Sequence, residues 1–261
     1  MMNNQPLSLA VVGHTNTGKT SLLRTLLRDS GFGEVKNAPG GVLDWLETNT
    51  DTRADGIERL QKFLDSHGAH HDFNQEAKVL RQLLQSDMAL YVIDAREPVL
   101  DKYRDELTIL SWCAKPVMPV FNFTGGQLPE AWTTMLARRN LHVFAGFDTV
   151  AFDFEGELNL WNKLATMLPQ HDIIDRLTAS RRREWTRLDK EARHEIAGFL
   201  LDVAAFTQEI DENDDPAPVL QTMQAEIRQL ERQMQQRLFG LYRFYHSEID
   251  SGDWVPKAFH Q

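Results

Sequence analysis

Leu7-Ser8-Leu9-Ala10-Val11-Val12-Gly13-His14-Thr15-Asn16-Thr17-Gly18-Lys19-Thr20 is the stretch on which the fold turns. Its apolar opening, rich in strand formers, stops at Gly13, and good helix formers run from Lys19 to Arg28, so it reads as strand, loop and helix. From Gly13 to Thr20 the spacing is glycine, four residues, glycine, lysine, threonine, which is the Walker A pattern. Each residue type has a reason. Glycines let the backbone wrap closely around a phosphate, and the successive amides with the helix amino terminus supply partial positive charge. Lys19 would neutralise the outer phosphates, and the Thr20 hydroxyl would lie on magnesium.

Outward from this loop, Met88-Ala89-Leu90-Tyr91-Val92-Ile93 ends at Asp94, and Val117-Met118-Pro119-Val120-Phe121 ends at Asn122. Both have the continuous apolar character of parallel strands covered by helices on both faces. Helical patterns are expected at about 56–66, 72–86, 101–114 and 128–140, with a weaker strand at Thr149-Val150-Ala151-Phe152. Strands alternating with helices predict a doubly wound α/β domain over residues 1–169. Residues 170–261 change character. Over 172–209 the apolar residues Leu188, Ala192, Ile196, Phe199, Leu200 and Val203 fall at helical spacing. Over 218–247 Met223, Ile227, Leu230, Met234, Leu238, Leu241 and Tyr245 alternate steps of three and four. The acidic, proline-containing stretch Asp211 to Pro218 separates them, so two long helices folded back as a hairpin are predicted.

Composition narrows the classes. A chain of 261 residues with 42% apolar and 25% charged side chains has the makeup of a globular protein with a core of its own. Its net charge of −10 disfavours a broad nucleic-acid surface, which needs Lys and Arg to replace counterions. The single Cys113 cannot form an intramolecular disulfide, which fits a reducing cytoplasm. No apolar run approaches the ~18 residues of a spanning helix. The start, Met1 to Pro6, lacks the features of a secretory signal, and the ending, Val255 to Gln261, shows no terminator of its own, as a piece of a longer chain would.

Asn16, four residues before Thr20, together with Gly13, Gly18, Lys19 and Thr20, resembles the phosphate loop of the Era and TrmE class of GTPases. Asp94-Ala95-Arg96-Glu97-Pro98 is similar to the segment that follows the second switch region in those proteins. The runs Leu9 to Glu34, Gln75 to Leu84, Tyr91 to Arg96 and Phe121 to Thr124 resemble, more closely, a bacterial family of GTPases with a carboxy-terminal domain of unknown function. The resemblance implies a P-loop NTPase-like, mostly parallel sheet with helices on both faces, followed by the helical hairpin. It implies GTP or GDP as ligand and Mg2+ as cofactor. Contacts to the nucleotide would come from Gly13, His14, Thr15, Asn16, Thr17, Gly18, Lys19, Thr20, Ser21 and Asn122, with Thr20 also on the metal. Asp94 is a second metal candidate, since an apolar strand ending in aspartate has the form of a Walker B carboxylate. The resemblance, however, places this strand one beyond the magnesium-binding one.

Two departures qualify what is implied. Asn122 stands where the guanine-reading Asn-Lys-x-Asp begins, yet the chain continues Phe123-Thr124-Gly125 with no aspartate, which weakens the preference for GTP over ATP. Asn122 either contacts the base or caps the end of a strand. The second departure is Lys36-Asn37-Ala38-Pro39-Gly40-Gly41-Val42-Leu43-Asp44-Trp45, where the resembled proteins have two switches and two strands; about thirty residues are missing there. The chain's Asp-x-x-Gly, Asp153 to Gly156, follows the Asn122 strand and falls in the wrong order to sense a terminal phosphate. A guanine-nucleotide-binding protein, with GTP hydrolysis open and no catalytic residue identified, is therefore expected. The alternatives are a switch-deficient nucleotide-binding scaffold or helical interaction protein without turnover, and an ATPase with relaxed base choice.

Three further clusters have two readings each. His67, His70 and His71 with Asp72 and Glu76 would supply zinc ligands, or form a polar loop between helices. Arg176, Arg181, Arg182, Arg183 and Arg187 would meet RNA or anionic lipid, or form a solvated face paired with Asp175, Glu184 and Asp189. The apolar stripe over 223–241 packs the hairpin, or receives a partner helix. Cys113, at a predicted helix end, reads as a small buried residue.

Overall fold

The computed structural model describes residues 6–28, 40–125, 127–149, 153–169, 171–209 and 216–242. Among them, strands β1 (Leu9–Gly13), β2 (Met88–Asp94), β3 (Val117–Asn122) and β4 (Ala145–Gly146) form one parallel sheet in the order β1-β2-β3-β4. Every residue of β2 and β3 is buried, the condition that their continuous apolar runs predict. The α/β reading is thus borne out.

Alternation along the strands divides the core in two. Ala10, Val12, Ala89, Tyr91, Ile93 and Phe121 face one layer, made by helices α2 (Leu43–Asn49), α3 (Gly56–Leu64), α4 (Asn74–Gln85), α5 (Asp101–Trp112) and α6 (Glu130–Ala137). Met88, Leu90, Val92, Met118 and Val120 face the other, which holds Leu22 and Leu26 of α1 (Lys19–Leu27) and Leu160, Trp161 and Leu164 of α7 (Phe154–Met167). Parallel pairing in register sets Gly13 beside Val92 and Asp94 beside Asn122, so the loops after β1, β2 and β3 open on one side of the sheet. Ligands of open α/β sheets bind at these carboxyl ends.

Among the described residues the last strand is Ala145–Gly146, and of the expected strand Thr149 to Phe152 only Thr149 is described. The amide of Thr149, which a ladder would use, instead donates to the Asn122 side chain at 3.0 Å, and residues 150–152 lie outside the described residues. The stretch Asp153 to Gly156 opens α7, a helix the motif reading passed over: Asp153 Oδ1 and Oδ2 accept from the amides of Glu155 and Gly156, at 3.2 and 3.0 Å. It is a helix cap. Lastly, Ile196 and Leu200 were counted in an apolar stripe but are exposed.

One compact unit reaches Thr178, and a second begins at Ala179, inside the long helix α8 (His171–Ala205). In the second unit α8 runs antiparallel to α9 (Pro216–Leu241), with Arg237 Nε donating to Glu195 at 2.5 Å and the rings of Trp185 and Tyr242 5.7 Å apart. Met223, Ile227, Leu230, Met234, Leu238 and Leu241 are all half-buried, as a hairpin stripe requires. Tyr245 and the turn at 211–215 lie outside the described residues.

Candidate functional site

The loop between β1 and α1 is shaped by two glycines that nothing larger can replace. A Cβ at Gly13 would stand 2.4 Å from the Val92 carbonyl oxygen, and one at Gly18, where φ is +82°, would stand 2.1 Å from Asn122 Nδ2. Asn16 also takes a left-handed conformation, at φ 64°, which asparagine tolerates better than most residues. Between these points the chain folds over itself: the Thr17 hydroxyl donates to the His14 carbonyl at 3.0 Å, and Lys19 Nζ donates to the same oxygen at 2.5 Å.

Helix α1 then starts at Gly18 with no side-chain cap and no acidic residue in its first turn. The contrast with α3 and α7 is direct, since Asp55 and Asp153 cap those helices by accepting from their first amides. Uncapped first-turn amides attract an anion, because they carry the positive end of the helix dipole and have no intrahelical partner. Lys19 is buried beside them, and burial pushes its ammonium below the usual lysine value, partly offset by the charge of Glu106. Thr15 and Asn16 are exposed on the loop, and Thr20 and Ser21 are half-buried at the start of α1.

Asn122 is tied entirely into the protein. Its Nδ2 donates to the Thr17 carbonyl at 3.1 Å, while Oδ1 accepts from the amides of Phe123 and Thr149 and from the Thr149 hydroxyl, at 2.9, 3.0 and 3.1 Å. One buried amide thereby fastens the loop after β1, the end of β3 and the segment after β4. Phe123 follows at φ 56°, with its ring edge beside Gly18 and the Arg96 guanidinium carbon 4.0 Å above its face.

Asp94 is paired with Arg96. Its oxygens accept from Arg96 Nε and Nη2 at 2.9 and 2.7 Å and from the Arg96 amide at 2.9 Å. Burial pushes the Asp94 carboxyl up, but these bonds and the guanidinium charge outweigh it and leave the group below its ordinary value. A carboxylate so engaged braces Arg96 against Phe123.

Sequence reasoning missed Glu106, which is buried beneath the loop and bonded to both His14 and Tyr91. A signal existed: Tyr103, Glu106, Leu107 and Leu110 share one helical face, so an acid interrupts an apolar stripe. Thr149 gave no comparable sign. Of the remaining clusters, Arg176 and Arg187 pair at helical spacing with Asp172 and Glu191 rather than with Asp175 and Asp189, on exposed positions, while Arg181, 13% exposed, pairs with Glu184 as expected. His67 and His71 stack at 3.9 Å, and among the described residues no three His, Cys, Asp or Glu side chains are placed to hold a metal. Cys113 is buried, and desolvation pushes its thiol up to about 12, which makes it inert. No helix among the described residues is long and apolar enough to cross a membrane.

Residues 8–123 match the sequence family described as 50S ribosome-binding GTPase, and residues 133–261 match one described as a domain of unknown function (DUF3482). GTPase Der of Chlamydia muridarum (strain MoPn / Nigg) is 24% identical over 129 residues, 46% of this chain and 25% of that protein. GTPase HflX of Methanocaldococcus jannaschii is 31% identical over 125 residues, 44% of this chain and 30% of that protein. The matched segments make up only 25% and 30% of these two curated relatives.

Proposed function

We propose that the chain, whose residues 8–123 and 133–261 match a GTPase family and a domain of unknown function, binds GDP and GTP, with magnesium, through residues 13–20. The observation that carries this reading is the uncapped start of α1 beneath a loop closed on itself by Lys19, with Gly13 and Gly18 leaving the backbone bare. Amides of the loop would meet the phosphates, Lys19 would neutralise them, and Thr20 would hold the metal. Magnesium fits this donor set, since it keeps several waters and takes few protein ligands beside nucleotide phosphates. Asp94, being taken by Arg96, is assigned a bracing role. Asn122 supports the loop from below, and any contact it makes with the base would come from the same fixed amide. The division of the chain near residues 169 and 170 belongs to this reading, as does a cytoplasmic location.

Titration of a fluorescent GDP analogue with magnesium tests it. Wild type is expected to bind, and Lys19→Ala to bind about a hundredfold more weakly, the loss of a charge-assisted contact to phosphate. Equal affinities, or no binding by wild type, would sink the proposal.

Hydrolysis would proceed by attack of water on the terminal phosphate, with Lys19 stabilising the charge that develops. The chain's Asp-x-x-Gly caps α7 and is spent there. Intrinsic turnover of GTP in a single-turnover assay is therefore expected to be no faster than about 10⁻³ per second. A rate near one per second would show that other residues complete the site.

A further inference from the structure

Helices α5 and α6 leave between them a cleft of about 730 Å³, a volume within the range of small-molecule sites. Its apolar lining includes Val99 and Met135, which also pack into the core layer beneath. Its charged lining sets the guanidinium groups of Arg104, Arg138 and Arg139 against the carboxylate of Glu130. On a chain whose net charge is −10, this is a local excess of cations. None of these residues belongs to the loop at 13–20.

The three arginines are held in different ways. Arg139, just past the end of α6, donates from Nη2 to the Arg104 carbonyl at 3.1 Å, which ties the end of α6 to α5 and holds its guanidinium at the cleft. Its Nε is buried and has no partner among the described residues. A buried donor left unpaired in a native fold calls for a water or an ion. Arg138 is exposed and makes no ion pair among the described residues. Arg104 donates from Nη1 to Asp101 at 2.6 Å, but both side chains are at least half exposed, so water weakens the pair. The dipole of α6 favours cations at its carboxyl end and would by itself explain Arg138 and Arg139. It does not explain Arg104, which lies at the amino-terminal end of α5, where a cation is disfavoured. Guanidinium groups are planar and offer paired donors, the geometry that matches two oxygens of a carboxylate or a phosphate.

We propose that this cleft is a second ligand site, which binds a small organic oxyanion: a carboxylate or a phosphate ester carried on an apolar group. Arg138 and Arg139 take the oxygens, Arg104 adds its charge, and Val99 and Met135 receive the apolar part. Glu130 opposes the anion, so its removal tightens binding. The inference does not depend on the nucleotide reading of residues 13–20.

The test titrates benzoate and phenyl phosphate into the full chain by calorimetry. Wild type is expected to bind at least one of them. Arg138→Gln should weaken that binding about tenfold, and Arg138→Gln with Arg139→Gln about a hundredfold. The single variant changes an exposed side chain, so it stays informative if loss of the Arg139 tie disturbs α6. Glu130→Gln should tighten binding about two- to fivefold, and Lys19→Ala should leave it unchanged. Tighter binding of phenyl phosphate names a phosphate ester as the ligand class, and equal or tighter binding of benzoate names a carboxylate; either supports the site. No binding of either probe up to about 10 mM overturns it, as does an affinity that both arginine variants leave unchanged. Phenyl phosphate binding that Lys19→Ala removes and the arginine variants keep belongs to the loop at 13–20, which overturns this inference and leaves the nucleotide reading standing. Cleft binding in a protein that fails to bind the fluorescent GDP analogue overturns the nucleotide reading alone.

Discussion

Replacing Asn122 with alanine is expected to cost about 3–5 kcal/mol in the stability of the sheet unit and to abolish nucleotide binding, because it strands several buried polar groups at once. The amide of this one residue bonds the Thr17 carbonyl, the Phe123 and Thr149 amides and the Thr149 hydroxyl. Asn122 is 1% exposed and Thr149 4%, so water cannot take the place of the lost partner without entering the core. Losing the bond to Thr17 also frees the loop on the side where Gly18 opens α1. Hydrogen exchange of the β2 and β3 amides, which reports on this unit alone, checks the first effect, and titration with a fluorescent GDP analogue checks the second. Asn122→Asp sharpens the comparison. It keeps the acceptor but loses the donor to Thr17, and it buries a charge. A variant with unchanged exchange and unchanged affinity would show that the amide is not the fastener described here.

That fastener explains what could and could not be read from the chain. The strand, loop and helix around Gly13 were legible because the whole unit is local, and its two glycines sit where a Cβ would strike neighbouring atoms. Strands β2 and β3 were legible for a similar reason: burial on both faces leaves a continuous apolar run with no period to decode. Asn122 left both readings open because its bonds span 105 residues to Thr17 and 27 to Thr149, and nothing local marks either partner. The same holds for His14 and Glu106, which are 92 residues apart in sequence. Asp153 was set aside by chain order alone. Asp-x-x-Gly is short enough to be met by a helix cap, and the bonds to Glu155 and Gly156 supply the use that order could not. Asp94, the aspartate that closes its strand, pairs with Arg96 two residues on, a partner that the apolar-strand pattern did not mark.

The two loop glycines should fail for different reasons when replaced by alanine, and the difference is measurable. At Gly13 the added Cβ meets the carbonyl oxygen of Val92 at 2.4 Å, and these two residues are register partners across β1 and β2. A backbone atom in the middle of the sheet cannot swing aside, so β1 must draw away from β2, at about 2–4 kcal/mol. At Gly18 the nearest atom is the Asn122 side-chain amide at 2.1 Å, which can be pushed out of place, while φ of +82° adds strain for any L-residue. Gly18→Ala should therefore do much of the damage of Asn122→Ala by expelling the same amide. In the double variant the second change has little left to break, so the combined loss should fall short of the sum by about 1–3 kcal/mol. Gly13→Ala combined with Asn122→Ala shares only the neighbour Thr17, whose hydroxyl the Gly13 Cβ would meet at 3.2 Å and whose carbonyl Asn122 bonds, so it should come closer to additivity. Unfolding free energies of the sheet unit from amide exchange supply all the values needed. Strict additivity of Gly18→Ala with Asn122→Ala would mean that the loop is held to β3 by something other than this amide, and the proposed support of the phosphate site would have to be placed elsewhere.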